Sequence, residues 1–475
     1  METTNLITDK RIVNALVYIN GEEVNFASLN IEQSIGEHHR FRLMLDYDAM
    51  KNSFLSNPLE QIALIGKRVT VKFQQGDDDG KAYEFQGIID NTVNEGSEGK
   101  HGSLIIEGKS PTVLLERGKR LDIFSNMNLK KVFDEVIYGV PEKSLSCVNN
   151  PVFGSPVPFL MQYWESDWEF LQRLSVLSGE TLYYTGVDLV FGKHDDFPTM
   201  EVMYDREISD IRFGSRLLPN AFTLYQYLAE KHEYIEQTPD KVENSTEQID
   251  AAHDQSRSVI DEKRPPRLPS ALTVEDVGSL MEQANRRKER TAAKTICVTG
   301  IAKTCHPRIG RLLKINLPEG LSDADELGMF RVVKVVHNID QNHRYTAAFE
   351  AVPSALKRLP APEIHLPVAS SVQAEVISNN DPQGLGRVLV EFPFANDMQS
   401  ETWLRVMTPD GGGLVKSYGS DNNPAGIVDK NRGFVFIPEA GDQVMVGFEF
   451  GDPNRPYVMG SLFHGKNAAG GRNAK

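Results

Sequence analysis

The chain has 475 residues, of which 40% are hydrophobic, 25% charged and 8% aromatic, and a formal net charge of −15. That length allows two to four domains with cores of their own, and the composition is that of a folded globular protein, neither disordered nor collagen-like. The acidic balance excludes a general binder of phosphate backbones, which needs clustered Lys and Arg, and Cys147, Cys297 and Cys305 form no C-x-x-C pair and so read as free thiols, not a disulfide framework or zinc knuckle.

The first residues, METTNLITDK, lack the basic start and apolar centre of a secretory signal, and no run of eighteen apolar residues follows. The expectation is a cytoplasmic product that leaves the cell only if another machine exports it. Period-2 patterning then predicts strands through the first 120 or so residues: NALVYINGEEV with an Asn20-Gly21 hairpin turn, FRLMLDYD, RVTVKFQQ, YEFQGIID and GSLIIEGKS. NLKKVFDEVIYGV, residues 128–140, changes to helical spacing and stops near Gly139.

The clearest helix is WESDWEFLQRLSVLSGE, with Ser166 and Glu169 in capping-box order, an apolar stripe including Trp168, Phe170, Leu171 and Leu174, and Gly179 as its stop. TLYYTGVDLVFG follows as a hairpin around Gly186. Residues 238–270 are polar, free of aromatics and proline-rich at the end, and read as a long exposed connection. A polar-faced helix, ALTVEDVGSLMEQANRRKERTAAK, precedes renewed strands in KTICVTGI, RLLKINLP, MFRVVKVVHNI and YTAAFEAVP. Three prolines in LPAPEIHLPVA mark a second linker, after which six short β runs, SVQAEVIS, GRVLVEFPF, TWLRVMTP, GFVFIPE, QVMVGFEF and PYVMGSLF, predict a small OB-type barrel.

Catalytic and metal motifs are only approached. Gly108-Lys109-Ser110 ends like a phosphate-binding loop, but Gly102 stands one residue too far away. His232-Glu233 opens like a zinc-protease helix, yet Glu236 occupies the place of the second histidine. Cys305 and His306 are adjacent, which places strand side chains on opposite faces; His337 and His343 flank a turn without a ligand set. The PDGGGL loop, residues 409–414, has no helix after it, and Asp381, Asp421, Asp429, Asp442 and Asp452 lie in separate turns without calcium-loop spacing. No catalytic, cofactor or metal residue is assigned, and a structural or binding role is expected over an enzymatic one.

DPQGLGRVLVEFPF, TWLRV and NRGFVFIPEAGDQVMVGFEFGDPNRPYVMGSLFHG resemble the OB-fold domain of VgrG proteins, the spikes of type VI secretion systems, and of related phage and extracellular injection baseplate spikes. QYWESDWEFLQRLSVLSGETLYY and VVHNIDQNHRYTAAFEAVP resemble the hub half of the same proteins. The resemblance implies a mainly β fold with an α+β hub: two β-barrel-like hub domains, then a C-terminal OB-fold barrel that in the family runs on into a β-helix needle. The chain departs from that pattern, since only KNAAGGRNAK follows Gly465, and the expectation is a sequence truncated before the needle, or a needle that is short, absent or supplied elsewhere. It divides the chain into an N-terminal β hub domain (1–125), an α+β hub part (126–237), the exposed connection (238–270), a helix and strands closing the second β hub domain (271–358), the linker (359–370), the OB domain (371–465) and the start of a needle or tail (466–475).

Gly386, Arg387, Phe434, Pro438, Gly441, Asp442, Gly451, Asp452, Pro453, Pro456 and Gly460 are read as turn and barrel positions. Ser166, Trp168, Glu169, Phe170 and Leu174 form the hub helix motif. Asp452 and Arg455 are read as an exposed pair in a reverse turn beginning at Gly451. The implied function is a homotrimeric, mechanical hub and spike with no cofactor. It seats on an Hcp-like tail-tube hexamer among baseplate proteins, punctures a target membrane and carries effectors, with a PAAR-repeat tip as a further partner and no nucleic acid. A cell-wall hydrolase using barrel acids such as Asp442 and Asp452, and an OB-fold binder of single-stranded nucleic acid, are the alternatives.

Overall fold

The computed structural model describes residues 13–465 apart from 47–57, 76–82, 98–99, 194–198, 240, 243–244, 261–263, 322–324, 396–400, 410 and 412–432. The first hairpin joins β1 (Val13–Ile19) to β2 (Glu22–Val24) through Asn20 and Gly21, both at positive φ (51° and 91°), the backbone that matches a two-residue turn to strand twist. β3 (Ser28–Ser34), β4 (Arg40–Asp46), a short helix α1 (Pro58–Ile62), β5 (Arg68–Gln75), β6 (Tyr83–Ser97) and β7 (Lys100–Lys109) follow. In β5, Val69, Val71 and Phe73 are buried at every second position, so one face is held to the core and the register is fixed.

β8 (Arg120–Met127) and β10 (Val157–Glu165) form a two-stranded ribbon. Between them lie α2 (Leu129–Ile137) and β9 (Ser146–Asn150). α3 (Asp167–Ser178) leads into the hairpin of β11 (Leu182–Tyr184) and β12 (Asp188–Gly192), and β12 pairs in parallel with β9. The hairpin tip rests on the main sheet, where Gln86 donates its amide to the Gly186 carbonyl at 2.8 Å.

β13 (Met200–Met203) and β14 (Ile208–Ser215) return to the main sheet. β15 (Thr223–Leu228) and β16 (Glu233–Gln237) form a hairpin that β17 (Arg267–Pro269) extends. The stretch 238–270, expected as an exposed connection, instead contains α4 (Glu247–Val259), capped by Thr246 and burying Ile249, His253 and Ser256. Its low hydrophobicity hides a helix that contributes one narrow buried stripe. α5 (Val277–Ala292) is the polar helix of the sequence, but it is not a solvated one: Gln283, Arg286, Lys288, Glu289 and Arg290 are buried along it.

β18 (Ile296–Ala302), β19 (Leu312–Asn316), β20 (Glu326–Ile339) and β21 (Tyr345–Pro353) complete a 13-stranded sheet whose path runs β14-β18-β21-β20-β3-β4-β7-β6-β5-β1-β2. β20 pairs with β3 from Lys334↔Ser34 to Ile339↔Leu29. The β segments assigned from sequence to two separate barrel-like domains therefore share one open sheet, and no barrel closes among the described residues. Pairing partners 300 residues apart leave no local pattern, so this junction cannot be read from strand periodicity.

The C-terminal sheet has five strands in the order β24 (Glu401–Leu404), β23 (Val388–Glu391), β22 (Val372–Ser378), β25 (Gln443–Phe448), β26 (Pro456–Leu462). An isolated bridge between Val406 and Val458 draws the edges toward each other. The expected strand at GFVFIPE is absent: residues 434–439 run without ladder pairing, with Val435 and Phe436 more than 80% exposed.

Candidate functional site

The feature that joins the hub to the OB domain begins at α3. Ser166 Oγ accepts from the Glu169 amide at 3.1 Å and Glu169 Oε2 accepts from the Ser166 amide at 2.9 Å, a complete capping box. Gly179 ends the helix at φ 77°, with Arg286 packed where a side chain would stand. Trp168, Phe170, Leu171 and Leu174 are buried in a second core with α2, β9, β11 and β12, and Phe170 stacks on Phe124. A bulge at Trp164 (φ 50°) shifts the register of β10, and Glu165 beyond it meets Arg173 at 2.7 Å with both side chains under 10% exposed.

Glu180 follows the helix stop and is wholly buried. Its Oε1 accepts from the amides of Val152 (3.0 Å) and Phe153 (2.7 Å) and from Arg286 Nη1 (2.7 Å), while Oε2 lies 3.5 Å from Arg358 Nη1. Arg290 donates to the Glu180 and Val176 carbonyls. Burial, followed by the neighbouring charge of Arg358, brings the Arg290 guanidinium down to about 10. One carboxylate thus ties α3, α5 and the segment before the linker into a single body.

The hub ribbon reaches the OB domain from the other side. Ile123, Phe159 and Met161 share one core with Ala374, Val376, Val388, Val390, Phe392, Leu404, Val444, Val446, Phe448 and Val458. The Met161 carbonyl accepts from Arg173 Nη2 at 2.5 Å, and the Met161 amide donates to Asn454 Oδ1 at 3.1 Å. Arg455 Nη2 donates to the Ser270 carbonyl (2.7 Å) and shares a bond with Ser270 Oγ (2.9 Å). The linker is pinned as well: Ala369 donates to the Gly451 carbonyl (2.7 Å) and Ser370 to Tyr163 Oη (3.0 Å).

The connection between β25 and β26 is therefore a joint as well as a turn. Its closing bonds run from Asp452 N to Glu449 O and from Arg455 N to Asp452 O, with Gly451 at φ 70°, so the reverse turn expected at Gly451–Asn454 starts one residue later. Asp452 Oδ1 accepts from the Asn454 amide, Pro453 is buried, and Pro456 opens β26. The Asp452–Arg455 pair (3.3 Å) is not the exposed pair of the sequence reading, because the Arg455 side chain is only 13% exposed. Asn454 and Ser270, which complete the joint, were missed; Asn454 sits in a D-P-N-R stretch that reads equally well as a solvent turn.

The other OB positions are structural in several ways. Arg387 Nη2 meets Asp381 Oδ1 at 2.8 Å, while the same carboxylate accepts from the Gln383, Leu385 and Arg387 amides. The Arg387 hydrogen bond leads these contacts in holding the Asp381 carboxyl well below the usual range. Gly386 (φ 72°) lies in that loop, Asp442 Oδ2 accepts from the Glu439 amide beside Gly441 (φ 90°), Pro438 is buried, Phe434 is exposed and stacks on Phe436, and Gly460 lies within β26.

The motifs that approach chemistry are dispersed. Gly108 and Lys109 are strand residues, with Gly108 against the Phe41 ring, and Ser110 Oγ accepts from the His39 amide at 3.0 Å. His232 bonds Tyr227 Oη (2.8 Å), whereas Glu236 pairs with Arg267. The Cys305 amide donates to Gln75 Oε1 (3.0 Å), and His306 lies 3.3 Å from Gln75 Nε2. Cys297 and Cys305 are buried and Cys147 half-buried, none of them in a disulfide, and burial pushes the Cys147 and Cys297 thiols up to about 12. His337 is buried and His343 exposed. Asp421, Asp429 and most of the PDGGGL loop lie outside the described residues. Among the described residues no cluster of His, Cys, Asp and Glu has the makings of a metal site, and no helix is long and apolar enough to cross a membrane.

A large open β sheet with a helical side domain thus shares a buried core with a five-stranded C-terminal sheet. The model of the phage tail baseplate hub (GPD) family matches residues 38–343, and that of the type VI secretion system/phage-baseplate injector OB domain matches residues 372–425 and 424–463. The chain belongs to the phage tail baseplate hub family.

Over 86 residues it is 36% identical to the type VI secretion system spike protein VgrG5 of Pseudomonas aeruginosa, a match spanning 17% of this chain and only 9% of that protein. In fold it is similar to the E. coli c3393 protein, a type VI secretion component described as structurally similar to the T4 phage tail proteins gp27 and gp5 (TM-score 0.60, 14% identity, 94% of this chain and 99% of that one). It is also similar to a tail protein of Neisseria meningitidis (TM-score 0.53, 12% identity, 73% and 98%) and to a chain of the Francisella PdpA–VgrG complex (TM-score 0.52, 9% identity, 96% and 79%).

Proposed function

We propose that three copies of this chain form the hub and spike base of a contractile injection apparatus. The trimer seats on an Hcp-like tail-tube hexamer within a baseplate, leaves the cell with the tube, punctures a target envelope mechanically and carries effectors, with a PAAR-repeat tip as a further partner. The observation that carries this reading is the succession, in one chain, of a baseplate hub match and an injector OB match joined by a buried interface. A spike base must pass axial load from hub to tip. Here the load bypasses the linker through the Ile123–Phe159–Met161 core and the Asn454 and Arg455 bonds, and closely packed interiors transmit strain because they compress little. The PdpA–VgrG complex of Francisella supports carriage of a partner protein.

Function here needs no turnover; it needs symmetry and stiffness. Light scattering on the purified chain at micromolar concentration should return three times the monomer mass. A single-chain mass at that concentration would overturn the trimer.

A further inference from the structure

Between the end of α3, α5, the linker and the 450–454 turn lies a cleft of about 770 Å³, open on one side. That volume is in the range of specific ligand pockets. Its charge is opposite to that of the chain: Arg173, Arg286, Arg287, Arg290 and Lys294 line it, against the single carboxylate Asp452, in a protein of net charge −15.

Some of these cations are spoken for. Arg173 is held by Glu165, Arg286 by Glu180 and Glu282, and Asp452 by Arg455. Arg287 and Lys294 are not: the Arg287 guanidinium lies over the Phe222 ring at 5.3 Å, and among the described residues neither has a carboxylate partner. The Nε atoms of Arg286 and Arg290, on side chains over nine-tenths buried, also lack an acceptor. The opposite rim is apolar. Leu366 is 58% exposed and Phe450 78% exposed, and Phe450 is held at φ 58°, a backbone that a bulky residue seldom adopts.

From this pairing of unclaimed cations with exposed apolar side chains, we propose that the cleft binds an extended peptide segment of a partner protein in which carboxylates alternate with large apolar residues. Arginine forks suit carboxylates, and bidentate pairing fixes the register of such a segment. Aliphatic and prolyl walls suit side chains of a peptide better than the stacked bases of a nucleic acid, which take aromatic platforms along a basic track. The inference goes beyond the injection role and does not depend on it, because the isolated chain either binds such a segment or does not.

The test is fluorescence anisotropy of the full chain with a short fluorescein-labelled peptide alternating aspartate with leucine and phenylalanine. Saturable binding is expected, weakened about tenfold or more by Arg287→Glu with Lys294→Glu, weakened also by Leu366→Ser, and lost when asparagine replaces aspartate in the peptide. Both protein variants change exposed or half-exposed side chains, so their melting temperatures should match the parent. Equal binding of the asparagine peptide, or unchanged affinity in the double charge reversal, would overturn the proposal. Displacement of the peptide by oligothymidylate would overturn it in favour of nucleic acid, and a change of molar mass in the double charge reversal would assign the cleft to a second copy of the chain instead.

Discussion

Met161 and Asn454, 293 residues apart in sequence, are joined by a buried hydrogen bond from the Met161 amide to Asn454 Oδ1 at 3.1 Å. The carbonyl of the same residue accepts from Arg173, so one residue of the hub ribbon is gripped by α3 on one side and by the OB domain on the other. Asn454→Ala leaves the Met161 N–H buried without an acceptor, a loss of about 1–3 kcal/mol. Chemical denaturation should show it, and limited proteolysis should open the 359–370 linker faster than in the parent.

Gly451 stands at φ 70°, and a Cβ there would lie 2.8 Å from Val368 Cγ1. Gly451→Val therefore combines a left-handed backbone cost of about 1–2 kcal/mol with a clash against the linker. A clear fall in melting temperature is expected; an unchanged value would remove this residue from the joint.

Glu180 answers Arg286 and Arg358 with one fully buried carboxylate. Glu180→Gln keeps acceptor capacity toward Val152 and Phe153 but removes the buried charge, leaving Arg286 only the half-exposed Glu282 and Arg358 only Glu289 at 3.9 Å, at a cost of up to about 3–5 kcal/mol. Urea titration of parent and variant measures it. By contrast, Ser166→Ala removes one half of a capping box, and about 0.5–2 kcal/mol should be lost.

The acid response comes from another place. His337 lies between Tyr345 Oη (2.6 Å) and Gln33 Oε1 (3.2 Å), and Gln33 Nε2 reaches His39 Nδ1 at 3.0 Å. Burial brings both imidazoles down to about 3, with Arg308 adding to the effect on His337. Between pH 6.5 and 3 the unfolded chain holds these protons and the folded chain does not, so stability falls as pH falls through that window. Each histidine contributes a slope of up to about 1.4 kcal/mol per pH unit. The melting temperature should drop from pH 6.5 to 4.5, and His337→Gln should flatten that drop.

The strands β1, β2 and β5, the helix at 167–178 with both caps, and five of the six C-terminal β runs were legible because each rests on local spacing: Asn20-Gly21, Ser166 with Glu169, and the alternation in Val69, Val71 and Phe73. What escaped depends on distant partners. The β3–β20 pairing merges two β segments into one sheet. Arg286 and Arg290 look solvated on a polar helix until Glu180 and its carbonyl are placed beside them. Asn454 is a turn residue by its neighbours and an interdomain acceptor by its position.

Electron microscopy of the purified particle tests the central claim most directly. The account predicts a three-fold hub as wide as a hexameric tube, with three OB domains gathered at one end. A compact single-chain particle, or a ring of another symmetry, would contradict it.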